Sequence, residues 1–293
     1  MAVLEVKAYA KLNLSLDVLG KRPDGYHDMR MVMQTVNLTD AIRLEIGTGQ
    51  PLHMGSNLGF LPANESNLAA AAALRLCEAT GVDAGGLSID LEKTIPVCAG
   101  LAGGSADAAA VLRGLNKLLD LGLPGERLEE IGALVGSDVP YCVRGGTALA
   151  EGRGEILTDL PSLPDCLVVL CKPAFSVSTP ELFRSLDGCR ICRRPDTAGL
   201  LAALESSDLP GVARRMYNVF EDALPARRAQ EIDAIKNVMI QYGALGASMS
   251  GTGPTVFGLF TQREAAQGAW AALKEQYPET FLAESMGNLL EQV

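Results

Sequence analysis

From Val6 to Val18 the even positions are apolar (Val6, Ala8, Ala10, Leu12, Leu14, Leu16, Val18), while Lys7, Tyr9, Lys11, Asn13, Ser15 and Asp17 occupy the odd ones. A period of two predicts a half-buried β-strand and puts Lys11 and Asn13 together on its polar face. "RPDGYHD" supplies turn chemistry through Pro23, Asp24 and Gly25, and the apolar, β-rich "MVMQTVNLTDAIRLEI" follows, so an N-terminal antiparallel sheet is expected. "NESNLAAAAALRLCEATG" has the pattern of a helix with a polar start at Asn64 to Asn67 and a stop at Gly81, and "LSIDLEKTI" alternates again as a strand. That strand runs into "IPVCAGLAGGSADAAAVLRGL", where Ala108, Val111, Leu112, Leu115, Leu118 and Leu119 recur at helical spacing. The helix is expected to start near Ser105, with Ser105 as its N-cap and Asp107 as an acid in its first turn.

A second helix, "GERLEEIGALVG", leads to "SDVPYCVRGGTALAEGRGE", which is rich in small and turn residues. The stretch "TDLPSLPDC" has the character of a linker and divides the chain into residues 1–162 and 163–293. Beyond it come a strand at "CLVVLCKP", several short helical patterns to Tyr242, and strand, glycine loop and strand in "GALGASMSGTGPTVFGLF". The helix "REAAQGAWAALKEQY" and a short strand near "TFLAES" complete an α+β second domain, and no solenoid-type repeat interrupts the chain.

Composition narrows the partners. With 293 residues, 48% of them apolar, the chain can bury the cores of two ordinary domains. Its 25 basic and 35 acidic side chains leave a net charge of −10, and no Lys/Arg run marks a nucleic-acid or membrane surface. Small molecules are therefore the expected partners, with no nucleic acid and no membrane. "MAVLEVKAYAKLNLSLDV" lacks a basic segment followed by an apolar core, no apolar run approaches membrane-spanning length, and the protein is expected in the cytoplasm. The odd count of seven cysteines is expected to be mostly buried thiols; Cys189 and Cys192 form a lone C-x-x-C, a weak metal signal. His27 and His53 are the only histidines, so no protein-held metal is expected.

The glycine stretch after Ile95 lacks the Gly-Lys-Ser/Thr of a Walker A loop and does not fit G-x-G-x-x-G. It shares their physical logic: a backbone open to close approach feeds a helix start whose free N–H groups favour an anion. Taken alone, it reads equally well as a close-packing loop. Ser250-Gly251-Thr252-Gly253, alone, is a hairpin turn; Asp138, between Ser137 and Pro140, is a turn acid; Lys11 is a strand lysine.

In this order along the chain, however, "AYAKLNLSLDVLGKRPDGYH", "PVCAGLAGGSADAA" and "SMSGTGPTVFG" resemble the GHMP kinases. The K-x-N followed by P-D-G-Y-H, with "GSDVPYCVRGGTALAEGRGE", is similar to the branch whose acceptor is diphosphocytidyl-methylerythritol, in non-mevalonate isoprenoid precursor biosynthesis. The resemblance implies an α+β, two-domain GHMP kinase fold, with an N-terminal domain like the second domain of ribosomal protein S5 and a ferredoxin-like C-terminal domain. It implies ATP as co-substrate with Mg²⁺, and transfer of a phosphoryl group to the acceptor's 2-hydroxyl. Lys11 and Asp138 would be the catalytic pair, the carboxylate serving as base or as positioning group for the hydroxyl proton. The ATP phosphates would lie on Pro96, Val97, Cys98, Ala99, Gly100, Leu101, Ala102, Gly103, Gly104, Ser105 and Ala106, with Asn67, Leu68 and Lys93 near adenine and ribose.

For the acceptor, the resemblance implies Asn13, Tyr26 and His27 around the cytidine diphosphate, Phe183 opposite them as a stacking ring, and Gly251, Thr252 and Gly253 over the phosphates. Phe183 as a helix core residue competes with that role. The family's loop reads close to G-G-G-L-G-G-G-S-S-D; here Cys98, Ala99, Ala102 and Ala106 replace glycines and a serine, so these positions are expected at negative φ. Ser105 is left as the side chain able to assist Mg²⁺. Attraction of two polyanions to an acidic protein is expected to come locally from Lys11, Lys21, Arg22, Lys93, the helix dipole and the metal. The alternatives are another GHMP small-molecule kinase, of homoserine or mevalonate type, and a non-catalytic nucleotide-binding regulator. Either a monomer or a homodimer is compatible with the sequence.

Overall fold

The computed structural model describes residues 2–47, 52–83, 85–191 and 193–290. Cys192, and with it the Cys189–Cys192 pair, lies outside the described residues; Cys77, Cys98, Cys142, Cys166, Cys171 and Cys189 are free thiols. The chain opens with a long hairpin of β1 (Ala2–Lys21) and β2 (His27–Ile46), turned at the Pro-Asp-Gly segment. There follow β3 (His53–Ser56), α1 (Leu68–Thr80), β4 (Leu87–Glu92), α2 (Gly103–Leu118), α3 (Gly125–Ala133), α4 (Val139–Arg144), β5 (Thr147–Gly152) and β6 (Ile156–Asp159). The second half runs β7 (Leu167–Cys171), α5 (Thr179–Asp187), α6 (Thr197–Glu205), α7 (Leu209–Arg215), β8 (Tyr217–Asn218), α8 (Ala226–Gln241), β9 (Gly246–Met249), β10 (Val256–Phe260), α9 (Arg263–Lys274) and β11 (Thr280–Glu284).

The first sheet has the order β3-β4-β2-β1-β8, with β5 on the remaining length of β2 and β6 beyond it. Its β8 comes from the second half of the chain and pairs in parallel with Ser15 and Leu16 of β1. The second sheet is antiparallel throughout, in the order β11-β7-β10-β9. Helix α8 lies between its first and second strands in sequence and α9 between its third and fourth, the βαββαβ arrangement of a ferredoxin-like domain.

Strand β1 departs from the simple alternation. Its register against β2 slips between Tyr9 and Lys11, and again between Asn13 and Ser15. A slip of one residue exchanges the two faces of a strand. Ala8, Leu16 and Val18 thus pack with the helices of the first sheet, whereas Ala10, Leu12 and Leu14 pack with Val168, Leu170, Phe257 and Leu259 of the second. Between the two slips it is Lys11 and Asn13 that face the helix layer. The strand expected to be half-buried is therefore buried on both sides, because the second domain covers the face that a lone sheet would give to water; Lys11 is 4% and Asn13 0% exposed.

The chain end ties the halves together. Met286 N–H donates to the Thr35 carbonyl at 2.9 Å and Leu289 N–H to the Arg144 carbonyl at 2.8 Å, and the Gln34 amide reaches the Met286 carbonyl at 2.8 Å. Beneath this seam the fully buried Tyr141 hydroxyl donates to the Gly146 carbonyl at 2.7 Å and lies 3.0 Å from Thr35 Oγ1. Tyr141→Phe removes that bond from a dry site and lowers the unfolding free energy by about 1–2 kcal/mol. Urea unfolding is expected to show a lower midpoint at unchanged slope, and an unchanged midpoint contradicts the reading.

Candidate active site

Helix α2 begins at Gly103, two residues before the expected start, and no side chain caps it. The residue before it, Ala102, takes φ 56°, and Cys98 takes φ 53°. Both were expected at negative φ. The left-handed conformation costs a residue bearing Cβ about 1–2 kcal/mol, so the loop's contacts hold the backbone there against its preference. In consequence the N–H groups of Gly103, Gly104 and Ser105 precede the first helical bond, Ala106 N–H to the Ala102 carbonyl at 2.8 Å, and stay available to an anion.

The second glycine loop closes against the first. Ser250 Oγ accepts from Asn13 N–H at 3.3 Å and donates to the Gly100 carbonyl at 2.9 Å, while Thr255 N–H donates to the Ala99 carbonyl at 3.3 Å. Gly100 has φ 76°, and a methyl group there would overlap the Ser250 carbonyl oxygen. Asn218, on β8, donates to the carbonyls of Met249 and Gly251, both at 2.8 Å, and so fixes the far loop to the first sheet. Lys11 N–H donates to the Leu101 carbonyl at 3.1 Å.

A cleft of about 930 Å³ opens between these loops. Its wall includes Lys11, Asp138, Asn67, Leu68, Lys93, Pro96 to Gly100, Ala102 to Ser105, Phe183 and Gly251 to Gly253. Leu101 and Ala106, both 1% exposed, lie behind the wall as packing residues. Lys11 Nζ stands 3.9 Å from Asp138 Oδ2 and donates to Asn13 Oδ1 at 2.6 Å. Asp138 precedes α4 without capping it, so its carboxylate is left to face the ammonium. Asn13 is itself outside the cleft wall, and its Nδ2 is buried with no partner.

All four local cations expected to attract substrate are engaged within the protein, Lys11 with Asp138 and Asn13. Lys21 pairs with Asp187 at 3.2 Å, and Arg22 pairs with Asp28 at 2.7 Å and Asp24 at 3.2 Å. Lys93 Nζ is gripped by Asp40 Oδ2 and Asp107 Oδ2, each at 2.5 Å, with all three side chains buried. Asp40 Oδ1 also accepts the N–H groups of Thr94 and Ile95 at 2.5 and 2.8 Å. The triad thus staples both ends of the first glycine loop to β2. Burial pushes the Asp107 carboxyl up to about 7 against the pull of Lys93, and its Oδ1 has no partner. Asn67 is likewise committed, accepting from Ala69 N–H at 3.0 Å and donating to the Pro62 carbonyl at 3.1 Å.

His27 stacks on Phe183 of the cleft wall, with ring centroids 4.6 Å apart and planes 23° from parallel, and Phe183 meets Phe220 edge-on at 4.9 Å. Asp187, on α5, bonds His27 Nε2 at 2.7 Å and draws the imidazole onto that ring; its carboxyl is held below the usual range chiefly by this bond. Tyr26 is 58% exposed and carries the Arg153 guanidinium 5.0 Å above its ring. Arg153 and Asp107 line the cleft but have no place in the sequence-based site. For Asp107 a signal existed, an acid directly behind the glycines; Arg153, in a run of turn residues, offered none. Among the described residues no group of three or more His, Cys, Asp or Glu is arranged to hold a metal, and no helix is long and apolar enough to cross a membrane.

Residues 67–146 match the GHMP kinases N terminal domain and residues 200–279 the GHMP kinases C terminal model. The fold and the paired glycine loops thus belong to the GHMP kinases. A 4-diphosphocytidyl-2-C-methyl-D-erythritol kinase of Syntrophomonas wolfei is 48% identical over 96% of this chain and 97% of its own, and one of Geobacillus kaustophilus 46% over 97% of both. A crystal structure of 4-(cytidine 5'-diphospho)-2C-methyl-D-erythritol kinase superposes with TM-score 0.81 at 32% identity, covering 97% of this chain and 100% of that one. Homoserine kinase from Cytophaga hutchinsonii shares the fold, with TM-score 0.75 at 24% identity over 98% and 96% of the two chains. Within the GHMP kinases, this chain belongs to the 4-diphosphocytidyl-2-C-methyl-D-erythritol kinase family.

A carboxyl raised by folding binds more protons in the folded than in the unfolded state between about pH 4 and pH 7, so stability falls as pH rises through that window. Asp107→Asn removes this contribution and flattens the profile. Urea unfolding across about pH 4.5 to 7.5 tests it, and parallel profiles for the two proteins contradict the assignment.

Proposed function

We infer that the protein uses ATP to phosphorylate the 2-hydroxyl of 4-diphosphocytidyl-2-C-methyl-D-erythritol, giving the 2-phosphate and ADP, as a step of non-mevalonate isoprenoid precursor biosynthesis. The observation that carries this reading is the Lys11–Asp138 pair at 3.9 Å, in one cleft with the glycine loop and the free N–H groups of α2. A pure nucleotide binder has no use for a carboxylate facing the acceptor. Relatives named for this acceptor share 41–48% identity with the chain, which supports it over homoserine and mevalonate.

The triphosphate lies on the N–H groups of Gly103, Gly104 and Ser105, where the helix dipole and the oriented backbone favour negative charge. Gly251 to Gly253 close over it from the second domain. The acceptor hydroxyl donates to Asp138, which orients it in line with the γ-phosphorus and takes its proton as transfer proceeds. Lys11, held by the Asn13 amide oxygen, faces the Asp138 carboxylate at 3.9 Å and offsets charge on the transferring group.

The donor set fits Mg²⁺, because Asp107 Oδ1 is buried without a partner. Asp107 and the Ser105 hydroxyl are the residues that would hold the ion. The ion, bound there with the nucleotide, would supply positive charge against the triphosphate. For the pyrimidine, Phe183 offers a stacking face that His27 now covers, and Tyr26 and Arg153 flank the opening. We place the division between domains at residues 162 and 163, in the stretch joining β6 to β7, and the enzyme in the cytoplasm with its small-molecule substrates.

ADP release is measured with diphosphocytidyl-methylerythritol, homoserine and mevalonate as acceptors. Turnover is expected with the first, and turnover confined to either of the others overturns the assignment. Asp138→Asn is expected to lower kcat by about 10²–10⁴, and full activity would remove its role. Phe183→Ala is expected to raise KM for the acceptor roughly ten-fold, the worth of one stacking face, while KM for ATP stays near its original value.

A further inference from the structure

Away from the cleft, a second cavity of about 180 Å³ opens at the free edge of β1, between that strand, α2 and the chain end at Leu289. Its floor is Arg113, which is 9% exposed and has no carboxylate partner. The guanidinium donates only to carbonyls: those of Cys142 at 2.6 Å, Val143 at 3.2 Å and Lys7 at 3.4 Å. Burial draws it down to about 10, and carbonyls, unlike a carboxylate, leave its charge uncancelled. Lys7 and Lys117 stand exposed at the rim, and neither is engaged in an ion pair among the described residues.

The chain as a whole carries a net charge of −10, and the cations near the cleft are largely paired, so three cations without carboxylate partners in one small cavity are out of character. The one carboxylate on the wall, Glu5, stands across the ladder from Arg43, whose guanidinium bonds Glu45 at 2.8 Å, so the cavity sets one carboxylate against three cations. Because the Lys7 carbonyl points at Arg113, the Lys7 N–H leaves the strand on the same edge and adds a donor beside the guanidinium. The Tyr9 side chain contributes to the same wall.

We propose that this cavity is a second oxyanion site, in which Arg113, Lys7 and Lys117 bind one phosphate group, free or carried as a small phosphomonoester. Fixed donors at the floor and two mobile ammonium groups at the rim are the arrangement that a tetrahedral, doubly charged oxyanion satisfies. The site and the catalytic cleft lie at opposite ends of α4. Arg113 holds the carbonyls of that helix's last turn, and Asp138 immediately precedes its first residue.

The test uses the whole protein with its cleft filled by saturating ADP, so that binding at the catalytic loops is not counted. Inorganic phosphate and, separately, glycerol 3-phosphate are titrated at low ionic strength and followed by ³¹P line broadening. Saturable binding of one equivalent is expected. The double variant Lys7→Gln/Lys117→Gln is expected to weaken it by roughly ten-fold or more, with kcat unchanged in phosphate-free buffer. Tighter binding of the ester assigns the site to a phosphomonoester, and equal or weaker binding assigns it to the free ion. Three results overturn the proposal: no binding once ADP fills the cleft, unchanged binding in the double variant, or equal weakening by Lys274→Gln on α9.

Discussion

The cleft depends on a backbone-to-backbone contact between two loops that approach each other because they lack side chains. At Gly100 and Ser250 the first and second domains meet through a carbonyl, a hydroxyl and the space a methyl would fill. The same serine hydroxyl accepts from Asn13, and the neighbouring loop carbonyl of Leu101 accepts from Lys11. Two residues of one strand thus hold both loops through their N–H groups, and the first of them, Lys11, also presents its ammonium to Asp138. The spacing between the first glycine loop and the Lys11–Asp138 pair is therefore set by short main-chain bonds rather than by flexible side chains.

Charge is organised with the same economy. An acidic protein that binds two polyanionic substrates has little cationic surface to offer them, and much of what it has nearby is already engaged. Lys93 shows why. Held between Asp40 and Asp107, its ammonium serves the shape of the loop rather than the ligand, and the triad leaves one carboxylate oxygen buried without a partner among the described residues. In the function proposed, attraction for phosphate then falls to the helix start and oriented N–H groups, which carry no net charge and need no counter-ion.

Helix and strand order was legible because apolar periods of two and of 3.6 survive tertiary packing. The glycine loops, Lys11 and Asp138 were legible as a combination, each being unremarkable alone. Tertiary compensation was not legible. Nothing local announces that β1 slips register three times, and alternation counted along the chain assigns a single face to side chains that occupy two. Cys98 and Ala102 had been expected at negative φ because Cβ disfavours the left-handed region; contacts distant in sequence overrode that preference. Asn67 and Lys93 matched the family's positions, yet the partners that engage their polar groups, Pro62, Asp40 and Asp107, are visible only in three dimensions.

The exchanged faces of β1 also bear on how the protein is made. Synthesis proceeds from the N-terminus, and the first sheet can assemble once β6 has emerged, apart from the short β8. At that stage Ala10, Leu12 and Leu14, with Val32 and Val36 beside them, form an apolar surface whose cover, Val168, Leu170, Phe257 and Leu259, has yet to leave the ribosome. The half-made chain exposes the very patch on which its later half will settle. Completion of the first domain is therefore tied to the arrival of the second, and a chain released early carries an adhesive surface in place of a finished fold.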